Sequence, residues 1–365
     1  MGNKFSKKTM VLMLLFTIAL VLTVLMFVNS KTAPRSSFIM DGRKKLAVAA
    51  EVEAVSNSSS LLHCVRDLLV EAQEGNLRAK NLNGKVAWSQ KLPARITDIE
   101  GAGENIVIID SGNNIYYYSM QGKLLWTYKS TYEIVDLFTE DNGSLLAEYK
   151  GLTGSHAEAF SQNGAKLGSV SVENAHILSF TAGEGRFSIS VLDTSAEAIK
   201  TRIITYDPKG DIIWAKDFEN KIIAKLNYNK SNRLLAIGEN EIYSYGSDGN
   251  LQSEVVIDGE AINVAMDDYH VVLVAMDKGK LYSVCLDADL REKSRLELER
   301  APLGLYPSQN NIIMYYNDEL MVLTEKGELT ARFKSNSEIS SLYTDAGGSI
   351  YLVSNRKLQR LDYVK

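Results

Sequence analysis

The chain carries NGKVAW (83–88), QGKLLW (121–126) and KGDIIW (209–214), three copies of a tight glycine turn that runs into a strand-forming segment ending in Trp. They hold all three Trp of the 365 residues. Copies without the Trp follow at NGAKLG (163–168), DGNLQS (248–253), DADLRE (287–292) and KGELTA (326–331). The second residue of each turn falls at Gly84, Gly122, Gly164, Gly210, Gly249, Ala288 and Gly327, with a mean spacing of 40.5 residues. Such a period, with several strands in each unit, is the mark of a propeller blade, whereas helical repeats of similar length show apolar residues three and four apart.

One period shows the plan. Residues 95–99 alternate, 105–110 (NIVIID) form a buried run, 114–119 (NIYYYS) follow a turn, and Gly122 turns the chain into 124–128. β-branched and aromatic residues fill the strands, while Gly, Asn and Asp fill the turns. Five prolines in the whole chain suit sheets whose inner strands need every amide donor. Residues 61–90 form one unit and six more follow. Residues 339–362 supply three strands of an eighth, and 45–55 (KLAVAAEVEAV) is a strand-like segment with no other home. Pairing it with the C-terminal strands closes the ring and removes two open edges. The expected fold is therefore an all-β, eight-bladed β-propeller closed by an N-terminal strand, or seven-bladed if 61–72 is not a pair of strands.

Residues 10–28 are 19 consecutive uncharged residues, about what a helix needs to cross a bilayer core at ~1.5 Å per residue. Lys4, Lys7 and Lys8 precede them, which predicts a cytoplasmic N-terminus and a translocated remainder. The stretch is longer than the apolar region of a cleaved signal peptide, and no small-residue cleavage site follows Val28. The chain then divides into a short cytoplasmic segment (1–9), a transmembrane anchor (10–28), a linker (29–43) containing Pro34, Ser36 and Ser37, and the propeller domain (44–365). The expected location is the cell membrane, single-pass, with the propeller extracytoplasmic. Beyond residue 39 there are 35 bases against 45 acids, which argues against nucleic acid as a partner, since phosphate binding rests on clustered Lys and Arg.

The Gly-Lys-x-x-Trp copies at Gly84 and Gly122, with the variant from Gly210 to Trp214, resemble the repeats of the pyrroloquinoline-quinone-type β-propellers. An anchor followed by a degenerate propeller is similar to a family of membrane-anchored propeller proteins in Gram-positive, clostridia-like bacteria. That resemblance implies a fold and a location and no activity. In the quinone-dependent dehydrogenases of this fold the cofactor lies in the channel under adjacent cysteines; here Cys64 and Cys285 are 221 positions apart, so that reading ranks last. Trp88, Trp126 and Trp214 are expected to dock neighbouring blades.

Chemistry-bearing patterns are sparse. His63, His156, His176 and His270 lie in no His-x-Glu or His-Glu-x-x-His spacing, and neither a Gly-x-Ser-x-Gly elbow nor a phosphate-binding Gly-Lys-Ser/Thr loop occurs. Asp267-Asp268 and Asp287-x-Asp289 lack the alternating donors of a calcium loop and read as solvated turn carboxylates. No catalytic, cofactor-binding or metal-binding residue is expected, and no cofactor. Tyr117, Tyr315 and Tyr316, within Tyr-rich strands, are candidates for an interaction surface. The expected function is a non-enzymatic scaffold for envelope proteins, with a ligand-sensing or cell-wall glycan- or peptide-binding module as the alternative.

Overall fold

The computed structural model describes residues 44–53, 61–150, 154–195, 197–308, 311–344 and 349–364. The span 10–28 lies outside them. Among the described residues no helix is long and apolar enough to cross a membrane.

The described strands form six four-stranded sheets and one eight-stranded sheet. Counted as four-stranded antiparallel units in chain order, units 1 to 7 cover 61–91, 96–129, 134–173, 175–219, 225–256, 260–298 and 304–334. Unit 8 consists of Ile339–Thr344, Ile350–Ser354 and Lys357–Val364, completed by Lys44–Glu53, which pairs antiparallel with Lys357–Val364 from Lys45↔Val364 to Glu53↔Lys357. Lys44 and Lys45 also touch Ala331 and Arg332 in parallel register, which joins units 7 and 8 into the eight-stranded sheet. Leu61–Val65 and Leu68–Gln73 form an antiparallel pair, so unit 1 is a full sheet.

The core shows how these sheets are arranged. Each hydrophobic cluster lies between two successive units: Val70 and Ile108 belong to the cluster of units 1 and 2, Tyr117 and Leu145 to that of 2 and 3, and Phe218 and Tyr245 to that of 4 and 5. The series ends with Val52, Leu358, Cys64 and Leu69, which join unit 8 to unit 1 and close the ring. A buried Lys80 reinforces this seam, its Nζ donating to the Glu53 carbonyl at 3.2 Å and to Glu71 at 3.3 Å. Because each inner strand is covered on both faces, Asn105–Asp110 is buried at every position and shows no alternation.

The turn-and-Trp repeat supplies a second contact at the outer edge. Gly122 has φ +76°, and a Cβ there would lie 2.5 Å from the ring of Trp88 in the preceding unit. Gly164 meets Trp126, and Gly249 meets Trp214, in the same way. Trp88 Nε1 donates to the Met120 carbonyl at 2.9 Å and Trp126 Nε1 to that of Gln162 at 3.0 Å, each two residues before the turn glycine. Where Trp is missing the device degrades. Gly168 packs against Gly210, and Ser294 Oγ donates to the Glu325 carbonyl at 2.7 Å.

Unit 6 departs from the sequence expectation. The turn residue with positive φ is Leu290 (φ 64°), not Ala288 two positions earlier, and it is the Leu290 amide that bonds the Asp287 carbonyl as the Gly122 amide bonds that of Ser119. DADLRE places its Asp-x-Asp ahead of the turn, so the visible match to the glycine copies is out of phase by two.

The Tyr expectation also needs correction. Tyr117 is fully buried, stacked on Trp126 with centroids 4.7 Å apart, and its hydroxyl donates to the Gly143 carbonyl at 2.7 Å. Tyr316 is buried under Arg300, and the half-buried Tyr315 packs on Tyr306. Both faces of a middle strand are covered by adjacent units, so Tyr117 on the third strand of unit 2, and Tyr315 and Tyr316 at the end of the second strand of unit 7, pack into the protein.

Two glycine substitutions separate steric from backbone cost. Gly84 has φ +78° and nothing within 4 Å of the place a Cβ would take, so Gly84→Ala carries the conformational cost alone, about 1–2 kcal/mol. Gly122→Ala adds collision with Trp88 and is expected to cost about 1–3 kcal/mol more. Urea unfolding checks this; Trp88→Ala combined with Gly122→Ala should recover the steric part only.

Candidate functional site

Antiparallel connection gives the ring two different sides. Turns between first and second strands, and between third and fourth, lie on what we call the turn side. Turns between second and third strands, and the connections between units, lie on the loop side. On the turn side the ends of the innermost strands surround a cavity of about 610 Å³ to which all eight units contribute, from His63–Arg66 in unit 1 to Tyr343 and Thr344 in unit 8. It is therefore the central channel of the ring.

Carboxylates dominate its charge. Glu100, Glu140, Asp141, Asp267 and Asp268 line it, from units 2, 3 and 6. Burial, helped by Asp98 and Asp136, pushes the Glu100 carboxyl up to about 7. Burial, with Asp141 beside it, pushes Glu140 up to about 8 against a 3.3 Å hydrogen bond from Thr181 Oγ1 and the opposing charge of Lys225. Burial in turn lowers the Lys225 ammonium. Asp268 is raised by burial, by Asp267 and by Asp141, so acids from units 3 and 6 sense one another around the mouth.

Asp267 behaves differently from its neighbour. Burial alone would raise it, but hydrogen bonds from His270 and from the amides of Tyr269 and His270 hold it below the ordinary carboxylate value. His270 is raised chiefly by Asp267, with Glu325 of unit 7 on its other nitrogen at 3.4 Å. The imidazole thus ties the first turn of unit 6 to the outer turn of unit 7.

The wall also carries polar groups of other kinds. His63 is lowered by burial despite Asp98 and lies 6.2 Å from the Tyr343 ring. Arg66 pairs with Glu104 at 2.9 Å. Cys64 and Cys285 are both buried and free, in units 1 and 6, and burial pushes each thiol up to about 12. Among the described residues no three His, Cys, Asp or Glu side chains are grouped to hold a metal ion. Asp287 accepts hydrogen bonds from the amides of Asp289 and Arg291, and Asp289 pairs with Arg233, as turn carboxylates do. The carboxylates of the channel can attract and hydrogen-bond cationic groups.

Of the channel residues, His63, Cys64 and the Asp267-Asp268 pair stand out in the sequence. Glu100 and Glu140 do not, because each is an ordinary acid in its own segment. Aligned on the bulges of their first strands, at Ile96/Asp98 and Ile134/Asp136, Glu140 corresponds to Ala102 and Glu100 to Phe138, so the two acids sit two residues apart along equivalent segments.

Residues 43–362 match the family of unknown function DUF5711. The chain belongs to that family. No curated protein sequence matches it. Among solved structures it is similar to BamB from Moraxella catarrhalis, at 12% identity and a TM-score of 0.56, covering 87% of this chain and 99% of that one. It is also similar to the computationally designed Ika8 protein (13%, TM-score 0.61, 88% and 100% covered) and to Saccharomyces cerevisiae Sqt1 (11%, TM-score 0.55, 91% and 100% covered). A further match to the C-terminal WD40 domain of Sif2 (12%, TM-score 0.59, 88% and 97% covered) agrees on the fold, a β-propeller.

The raised Glu140 gives a pH prediction. An acid whose pKa rises from 4.5 to about 8 on folding holds its proton more tightly folded than unfolded, so stability falls as pH rises through that window. Glu140→Gln removes this titration. Thermal melts at pH 5 and pH 8.5 should show a smaller loss in the variant than in the wild type, by on the order of 1–3 kcal/mol.

Proposed function

We propose that this protein is an eight-bladed propeller of the pyrroloquinoline-quinone-repeat type, anchored by residues 10–28 with its propeller outside the cytoplasm, where it acts as a non-enzymatic scaffold for envelope proteins. One observation carries the scaffold reading: the loop side exposes large apolar side chains on five consecutive units. Val135 is 52% exposed in unit 3, Ile199 49% in unit 4 and Val256 65% in unit 5. Ile262 and Met276 of unit 6 continue the series, and Tyr132 and Leu303 sit in the connections entering units 3 and 7. The turn side also exposes apolar groups, at the outer turns (Val86, Leu124, Ile212), but on the loop side they recur in strands and connections of consecutive units, which favours a protein-binding surface there. Lys44–Glu53 begins on the opposite, turn side, so the apolar side points away from the chain's N-terminal attachment.

A photoreactive residue at Val135 or Val256 in intact cells is expected to crosslink one defined partner, and Val256→Asp to abolish it. No more product from these positions than from Leu251, on the turn side, overturns the reading. The channel favours a second reading, a module for a cationic peptide or amino sugar, because about 610 Å³ falls within the size range of small-molecule sites. A rise in melting temperature with such ligands, lost in Glu140→Gln, would select it.

A further inference from the structure

The turns at the outer edge of the turn side are not equivalent in charge. NLNGKV (81–86) of unit 1 and SMQGKL (119–124) of unit 2 contain one Lys each and no acid. The corresponding turns of units 4 to 7 carry Asp207 and Asp211, Asp248, Asp287 and Asp289, and Glu325 and Glu328. Lys85 and Lys123 are exposed beside apolar neighbours, with Val86 51%, Leu124 42% and Leu125 44% accessible. Leu124 and Leu125 face outward together because a bulge interrupts the pairing between Tyr117 and Tyr118.

The chain enters the ring next to these turns. Lys44 pairs in parallel with Ala331, near the start of the outer strand Leu329–Lys334, so Lys44–Glu53 begins on the turn side at the outer edge of unit 8, which adjoins unit 1. Lys45 and Tyr363 are exposed there. The 15 residues from 29 to 43 reach at most about 50 Å fully extended, and they lead back to the apolar span 10–28.

We propose that the turn-side rim of units 8, 1 and 2 rests on a bilayer surface containing anionic lipid, a proposal that rests on the anchoring of residues 10–28. Lys85, Lys123 and Lys45 meet the headgroups, while Val86, Leu124, Leu125 and Tyr363 enter the interface, where Tyr and aliphatic groups beside Lys are favoured. The acidic turns of units 4 to 6 lie across the ring and stand clear of the anionic surface, while the Glu325 and Glu328 turn of unit 7 borders the rim beside unit 8. The propeller therefore sits edge-down, with its channel mouth open to solvent at the side.

The test uses the full chain reconstituted in vesicles of phosphatidylcholine and phosphatidylglycerol. Leu124→Cys in unit 2 and Leu251→Cys, its counterpart in unit 5, are each labelled with a fluorophore and quenched by spin-labelled lipid. Cys64 and Cys285 are buried and do not compete for label. Quenching at 124 should exceed that at 251 about threefold or more, and Lys85→Glu with Lys123→Glu should remove the excess. Val86→Cys gives an independent position. Protein that floats with the vesicles yet quenches equally at 124 and 251 overturns the rim alone, as does shielding of 124 that depends on protein concentration and not on lipid. Protein that fails to float overturns the anchor, and the rim with it.

Discussion

The ring depends on close approach between the outer edge of each unit and the turn of the next. A Trp ring laid on a glycine with positive φ fixes that distance at three of the interfaces, since any side chain on the glycine would occupy the indole's place. The indole N–H then bonds a carbonyl two residues upstream, so one side chain sets spacing and register together. Trp214 keeps the packing on Gly249 but its Nε1 has no hydrogen-bond partner among the described residues, so at that seam shape alone sets the fit.

This contact explains why the fold is so legible in the sequence. A glycine that must be glycine and a Trp four residues later recur wherever the interface takes this form, so the period is printed in the chain. The strand at 45–55 can be assigned to the last unit because three C-terminal strands otherwise leave an edge unpaired, and Lys44–Glu53 occupies that edge. The phase at DADLRE is lost because Leu290 adopts the left-handed conformation that glycine takes elsewhere. Local sequence carries no mark of a Leu so placed; its side chain is buried in one cluster with Leu235 and Ile237 of the preceding unit, distant in the chain.

Side chains are harder to place than strands. Alternation reports exposure only when one face of a sheet meets water, and here the inner strands meet another unit on either face. Tyr117 and Tyr316 are therefore invisible as core residues, whereas the outer strands, with one neighbour fewer, expose Leu124, Leu125, Ile212 and Ile213 in adjacent pairs. The channel escapes for a different reason. Its acids are brought together by the ring's symmetry, one segment at a time.

That symmetry has an electrostatic cost which the molecule meets unevenly. Carboxylates at equivalent positions of a ring converge on its axis, and burial makes their ionised forms expensive. Asp267 stays charged because His270 and two amides hold it, and His270 in turn reaches Glu325 of the next unit. Glu140 has a weak hydrogen bond and a Lys225 that is itself disfavoured by burial, and so its proton is retained near neutral pH. The channel mouth is thus asymmetric in charge although its backbone repeats: a firmly anionic Asp267 in unit 6 and a protonatable Glu140 in unit 3. A cation entering there would meet fixed charge on one wall and a proton it can displace on another, which makes its binding dependent on pH.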